Sequence, residues 1–195
     1  MIQLEIWEER FLSIVLGLTD MIKLIQWIFL LFPFIASGQE INGFQINSGK
    51  LEWVKVFESN LTQTQILDLL KVNGKISEIE NNDFRILGNV SSIEPDFKGL
   101  GIGEMSAPIY LARNWVQGKL IIDFKEGRYK VILRDILLTQ KYTDPLSQMG
   151  EVSTLDSFAV SKMEFKNGFL KSPSKILDYT FTKEFSFEIN ESEDW

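Results

Sequence analysis

The sequence predicts an α+β domain in which an antiparallel sheet packs helices against one face. Three stretches predict it: a hairpin over residues 119–138, a capped amphipathic helix after Thr62, and the four-residue repeat of Leu177, Phe181 and Phe185. The 195 residues are 45% hydrophobic and 24% charged, an ordinary globular composition sufficient for one sizeable domain.

The hairpin stretch reads KLIIDFKEGRYKVILRDILL and folds on paper about the two-residue turn Glu126-Gly127. That turn sets Phe124 opposite Tyr129, Ile122 opposite Val131 and Leu120 opposite Leu133, an unbroken apolar row on one side of the pleat. The other side pairs Asp123 with Lys130 and Ile121 with Ile132, and carries Lys119, Lys125, Arg128 and Arg134. A slip of one residue would put charge into the apolar row, so the register is strongly specified. The row needs a cover, most economically the helix over residues 63–72.

Residues 51–58, LEWVKVFE, are rich in β-branched and aromatic side chains and predict a first strand. Thr62 stands three residues before Gln65, the spacing of a capping box, and Ile66, Leu67, Leu69 and Leu70 follow before the stop at Asn73-Gly74. Residues 76–79 and 84–90 predict two strands around the turn-prone Asn81-Asn82-Asp83. With Pro95, Gly99, Gly101, Gly103 and Pro108, residues 91–108 read as loop, and residues 110–116 fit either a short strand or a helical turn. Residues 139–150 also read as loop, and 153–163 are ambiguous. Ser172-Pro173-Ser174 is a favourable helix opening, with Ser172 or Ser174 as the cap of a helix over about 174–185.

Two segments flank this domain. Residues 21–40, MIKLIQWIFLLFPFIASGQE, place Lys23 before an apolar run of about a dozen residues, shorter than the roughly 20 needed to cross a bilayer. With the small residues Ala36-Ser37-Gly38 behind it, this is the layout of a secretory signal peptide cleaved after Gly38; the alternative is an uncleaved anchor. Residues 1–38 are therefore an N-terminal extension and signal, and 39–195 a single domain with an acidic tail, Glu191-Ser-Glu-Asp-Trp195. The acidic 1–20 stretch fits export poorly, so Met21 is a candidate start. The expected location is periplasmic or secreted, with membrane contact only through the uncleaved signal.

The 20 Lys and Arg against 27 Asp and Glu give a net charge of -7, the wrong sign for neutralising phosphates along a duplex, so nucleic acid is not an expected partner. His and Cys are both absent, which removes Ser-His-Asp triads, thiolate nucleophiles, Cys/His metal sites and disulfides. No metal or cofactor is assigned.

The signal, the strand, the short helix, the pattern Phe84-Arg-Ile-Leu-Gly-Asn-Val90 and the hairpin Lys125-Glu-Gly-Arg-Tyr129 together resemble a secreted Bacteroidetes family of unknown function, DUF4468-like, with a TATA-binding-protein-like (TBP-like) fold. The resemblance spans residues 51–138 and departs over 139–168. It implies a curved antiparallel sheet with helices packed on one face. It supplies no catalytic residues, and it does not carry over DNA binding, which would need a basic concave sheet.

Candidate chemistry is sparse. Gly99-Leu-Gly101-Ile-Gly103 lies between prolines rather than between a strand and a helix, so a connection explains it better than a phosphate loop. Ser172-Pro-Ser-Lys175 has the Ser-x-x-Lys spacing of penicillin-recognising enzymes without their partner triplet. Paired carboxylates could be drawn from Glu78, Glu80 and Asp83, or from Glu94 and Asp96, all in polar turns. The feature singled out is the polar side of the hairpin: Lys119, Lys125, Arg128, Lys130 and Arg134 against Asp123, five cations on an acidic protein. A solvated sheet face also needs charge. The function expected is an exported, non-enzymatic binding module that meets an anionic envelope or extracellular partner through this face; the alternative is a carboxylate-dependent hydrolase of a cell-wall or glycan substrate.

Overall fold

The computed structural model describes residues 40–145 and 147–188, so the expected signal peptide and the whole acidic tail lie outside the described residues. Two short strands, β1 (Glu40–Ile41) and β2 (Phe44–Asn47), lead into β3 (Lys50–Glu58). Thr62 then caps α1 (Gln63–Asn73). Its hydroxyl accepts from the Gln65 N–H while the Gln65 side chain accepts from the Thr62 N–H, and Gly74 at φ 69 ends the helix. The β4 (Ile76–Asn82) and β5 (Arg85–Ile93) strands follow. After 3-10 turns at Lys98–Leu100 and Glu104–Ser106 and the short α2 (Ile109–Ala112) come the long strands β6 (Asn114–Lys125) and β7 (Arg128–Gln140). The chain goes on through β8 (Val152–Thr154), α3 (Asp156–Ala159), a small ladder of β9 (Val160–Ser161) with β10 (Glu164–Phe165), and α4 (Ser172–Phe185).

The strands run β1-β2-β3-β7-β6-β5-β4, every pair antiparallel, and β8 pairs with the far end of β7. The hairpin has the register expected of it: Phe124 faces Tyr129, Ile122 faces Val131, Leu120 faces Leu133 and Asp123 faces Lys130. The sheet is curved, and three register shifts bend it. One lies between Ser77 and Glu80, one between Val90 and Ile93, and one opposite Gly118, where β7 has an extra residue. Each shift has a non-glycine residue in the left-handed region: Glu78 at φ 51, Ser92 at 60 and Asp135 at 49. Past Asp135, β8 takes the place beside β7 that β3 holds before it.

Both longer helices cover the apolar side. Helix α1 buries Ile66 and Leu70, and α4 buries Ile176, Leu177, Phe181 and Phe185 against Phe44, Trp53, Leu120, Ile122, Tyr129, Val131 and Leu133. Each such side chain, fully removed from water, contributes about 1.5–3 kcal/mol. The rings interlock: Trp53 lies 5.4 Å from Phe181 edge-on, and Phe44 lies 5.1 Å from Phe169. Polar groups inside this layer are matched. The Trp53 indole N–H donates to Asp178 at 3.0 Å, Lys55 reaches Asp178 and Thr182, and Thr180 accepts from the Asp96 N–H while donating to the Ile176 carbonyl.

Local expectations need five adjustments. Strand β4 continues through Asn81 and Asn82, which pair with Ile86 and Arg85, so the turn falls at Asp83 and Phe84. Strand β5 continues through Ser91 to Ile93, and β7 through Thr139 and Gln140, because each finds a partner strand there. Residues 109–116 are helix and then strand, so both alternatives hold in succession. The segment from Val152 to Phe165 is a strand, a helical turn and a small ladder. Neither Ser172 nor Ser174 caps α4: the cap position is Lys171 with no side-chain bond, Pro173 supplies the opening, and Ser174 is buried, accepting from Asn42 at 2.9 Å.

Candidate functional site

Opposite the helices, the sheet presents a second face built in rows across four strands. Pairing runs Arg85–Asp123–Lys130–Val56 in one row, Leu87–Ile121–Ile132–Val54 in the next, and Asn89–Lys119–Arg134–Glu52 in the third. The middle row is entirely apolar. Its members, with Val56, belong neither to the helix-covered core nor to the residues packed on it. Ile121 at the centre of the row is only 7% exposed, while Val56 at the edge is 51% exposed. The face is therefore an apolar stripe with charged rows along both sides, not a uniformly solvated polar surface.

Four of the six residues expected at the site gather at the hairpin tip. Asp123, Lys125, Arg128 and Lys130 line an open hollow of about 600 Å³, together with Val56, Asn82, Phe84 and Arg85. Asp123 is held by two cations, Arg85 Nε at 2.5 Å and Lys130 Nζ at 3.3 Å. The hydrogen bond from Arg85, then that from Lys130, keeps the Asp123 carboxyl below its ordinary value, and Arg85 is pushed up in return. Among the described residues, the Lys125 and Arg128 side chains make no hydrogen bond or ion pair, so the lining of the hollow sets four cations against one carboxylate.

The other two expected residues lie on the far side of the apolar row. Lys119 pairs with Asp135 at 3.4 Å, where Lys50 also binds at 2.8 Å, and these two cations keep that carboxyl low. Arg134 lines a smaller hollow of about 230 Å³ with Asn47, Ser48, Lys50, Glu52 and Asp135. Sequence reasoning missed Arg85, which only strand pairing between β5 and β6 brings to Asp123. It also missed Val54, Val56 and Leu87, which extend the Ile121–Ile132 pair into a stripe. The alternation within residues 51–58 was the available signal, since Val54 and Val56 share the parity of Glu52 and Glu58.

Acid–base chemistry by a carboxylate pair needs one carboxyl pushed up. Among the described residues the three displaced carboxyls, Asp96, Asp123 and Asp135, are all pushed down. Asp96 is lowered by Lys183 at 2.9 Å and by the Gly99 N–H, and Glu94 accepts from Lys141 at 2.6 Å. The glycine-containing loop thus turns around Asp96 through a 3-10 turn. No group of three or more potential Asp, Glu, His or Cys metal ligands occurs among the described residues.

No family model matches the chain, and no curated protein matches it. Two solved structures are similar to it. One is a TBP-like protein from Parabacteroides distasonis ATCC 8503, 14% identical, covering 74% of this chain and 91% of that one with a TM-score of 0.41. The other is a DUF4468 family protein from Bacteroides ovatus ATCC 8483, 18% identical, covering 77% of this chain and 84% of that one with a TM-score of 0.36. The chain is similar to DUF4468-like proteins of TBP-like fold. That is the grouping the resemblance over residues 51–138 names, and the curved antiparallel sheet with helices on one face is the architecture it implies.

Proposed function

We propose that the domain is an exported, non-enzymatic binding module that receives an anionic partner from the envelope or the extracellular space on the open face of its sheet. One observation supports this reading above the rest. At the hairpin tip, Lys125 and Arg128 stand beside Arg85 and Lys130, and Asp123, the one carboxylate that lines the hollow, is already shared between the latter two, on a chain whose net charge is -7. A cationic hollow on an acidic protein concentrates negative ligands locally while the rest of the surface repels them. The apolar row behind it adds contact area that charge alone lacks.

Native mass spectrometry of the protein recovered from its own envelope tests the proposal, because a retained partner appears as added mass. Lys125→Gln with Arg128→Gln should remove that mass while leaving the fold intact, since neither side chain makes an ion pair with another described residue and neutral amides put no like charge opposite Glu58. Equal retention by the parent and the doubly neutralised chain would remove this face as the contact surface.

A further inference from the structure

The open face has a candidate occupant within the chain itself. Tyr129 sits at the hairpin tip and its hydroxyl clasps the end of α4, donating to the Phe185 carbonyl at 2.8 Å and accepting from the Phe187 N–H at 3.0 Å. The Phe187 ring lies 5.8 Å from the Tyr129 ring, and Glu188, exposed, acts electrostatically on the same tyrosine. The chain therefore leaves the described domain beside the strand end that displays Lys125 and Arg128. Residues 189–195, Ile-Asn-Glu-Ser-Glu-Asp-Trp, follow. Seven extended residues reach about 23–25 Å, enough to round the tip and pass along the face.

We infer that residues 189–195 dock on the open face, with Glu191, Glu193 and Asp194 against Arg85, Lys125, Arg128 and Lys130, and with Trp195 on the apolar row at Val56 and Ile132. Two independent complementarities support it. The tail brings three carboxylates to a hollow with an excess of cations, and its large apolar ring reaches a surface where Val56 is half exposed outside the core. The docked tail would then compete with an external anion for the same side chains. The inference does not depend on such a partner existing, because an intramolecular segment sits at high effective concentration whatever else is bound.

The test uses the chain's lack of cysteine, which makes an introduced one unique. A nitroxide on Ser192→Cys is read through the methyl signals of Val54, Val56 and Ile132 on the open face and of Leu111 and Leu155 in the helix-covered core. Docking predicts loss of the Val56 and Ile132 signals with Leu111 and Leu155 retained. Those signals should return in about 1 M salt, where the Debye length falls to about 3 Å, and in a chain carrying Glu191→Gln, Glu193→Gln and Asp194→Asn, which alters no described residue. Unattenuated open-face methyls, equal attenuation on both sides, or attenuation seen only between labelled and unlabelled copies would each overturn the inference. A lost external partner with a docked tail would sink only the proposed function, and a retained partner with an undocked tail only this inference.

Discussion

The two faces of one sheet are made from neighbouring residues and behave differently. Trp53, Ile86, Leu120 and Leu133 point to the helices, while Val54, Leu87, Ile121 and Ile132, each one position away in the chain, point to the other side. The covered side collects the aromatic rings, Phe44, Trp53, Phe57, Tyr129, Phe181 and Phe185 among them, with the helices that bury them. Between the register shifts, the open side of the four central strands places aliphatic residues in one row with charge along both edges. The rings and helices concentrate stability on the first face, and the second keeps an apolar row that no described helix covers. An apolar row between charged borders is what the proposed contact surface would use.

Several substitutions sharpen or break this comparison. The largest effect belongs to Trp53→Ala or Phe181→Ala, which should cost about 3–5 kcal/mol in chemical denaturation, because both rings are fully buried among other rings. Leu120→Ala and Ile121→Ala form a direct pair. The first should cost about 2–5 kcal/mol; the second should cost clearly less, since among the described residues no helix lies above Ile121 and the flanking side chains can collapse onto the gap. Equal losses would show that the open face carries structural load. Gly88→Ala should destabilise by about 1–3 kcal/mol, since the added Cβ would meet Ile76 Cγ2 at 2.8 Å on the covered side.

Smaller effects are expected from charge. Asp96, Asp123 and Asp135 each have a folded carboxyl held below the ordinary 3.8 by cationic partners. Their contribution is fully present above that value and is lost as pH falls below it through the lowered folded values. Unfolding followed from pH 7 to 2 should therefore lose stability mainly below about pH 4, and Asp123→Asn should shrink that loss. Smallest of all, Lys125→Gln with Arg128→Gln should change stability by no more than about 0.5 kcal/mol, while removing ligand retention.

How much of this was legible in the sequence follows from the range of each signal. The register of residues 119–138 was legible because every alternative sends charge into the core, and α1 was legible because Thr62, Gln65 and Gly74 act within one turn of each end. The extra residue at Asp135 was not, since a bulge is a local accommodation to strands β3 and β8 that arrive from elsewhere. Four of the six expected site residues converge because they share one hairpin tip. Lys119 and Arg134 share the face but lie across the apolar row, paired with or beside Asp135. Arg85 and the valines of β3 come from strands 30 or more residues away, and only the order β3-β7-β6-β5 places them there.

The difference between the faces can be measured directly by relaxation of methyl signals from a neutral, soluble paramagnetic agent, with the tail carboxylates neutralised and at about 1 M salt to suppress charge attraction. Val54, Val56 and Ile132 should broaden strongly, while Leu120, Val131 and Leu133 stay sharp. Equal protection of Ile132 and Leu133, adjacent in one strand, would contradict the account, because it would mean that both sides of the sheet are covered and neither is free to receive a partner.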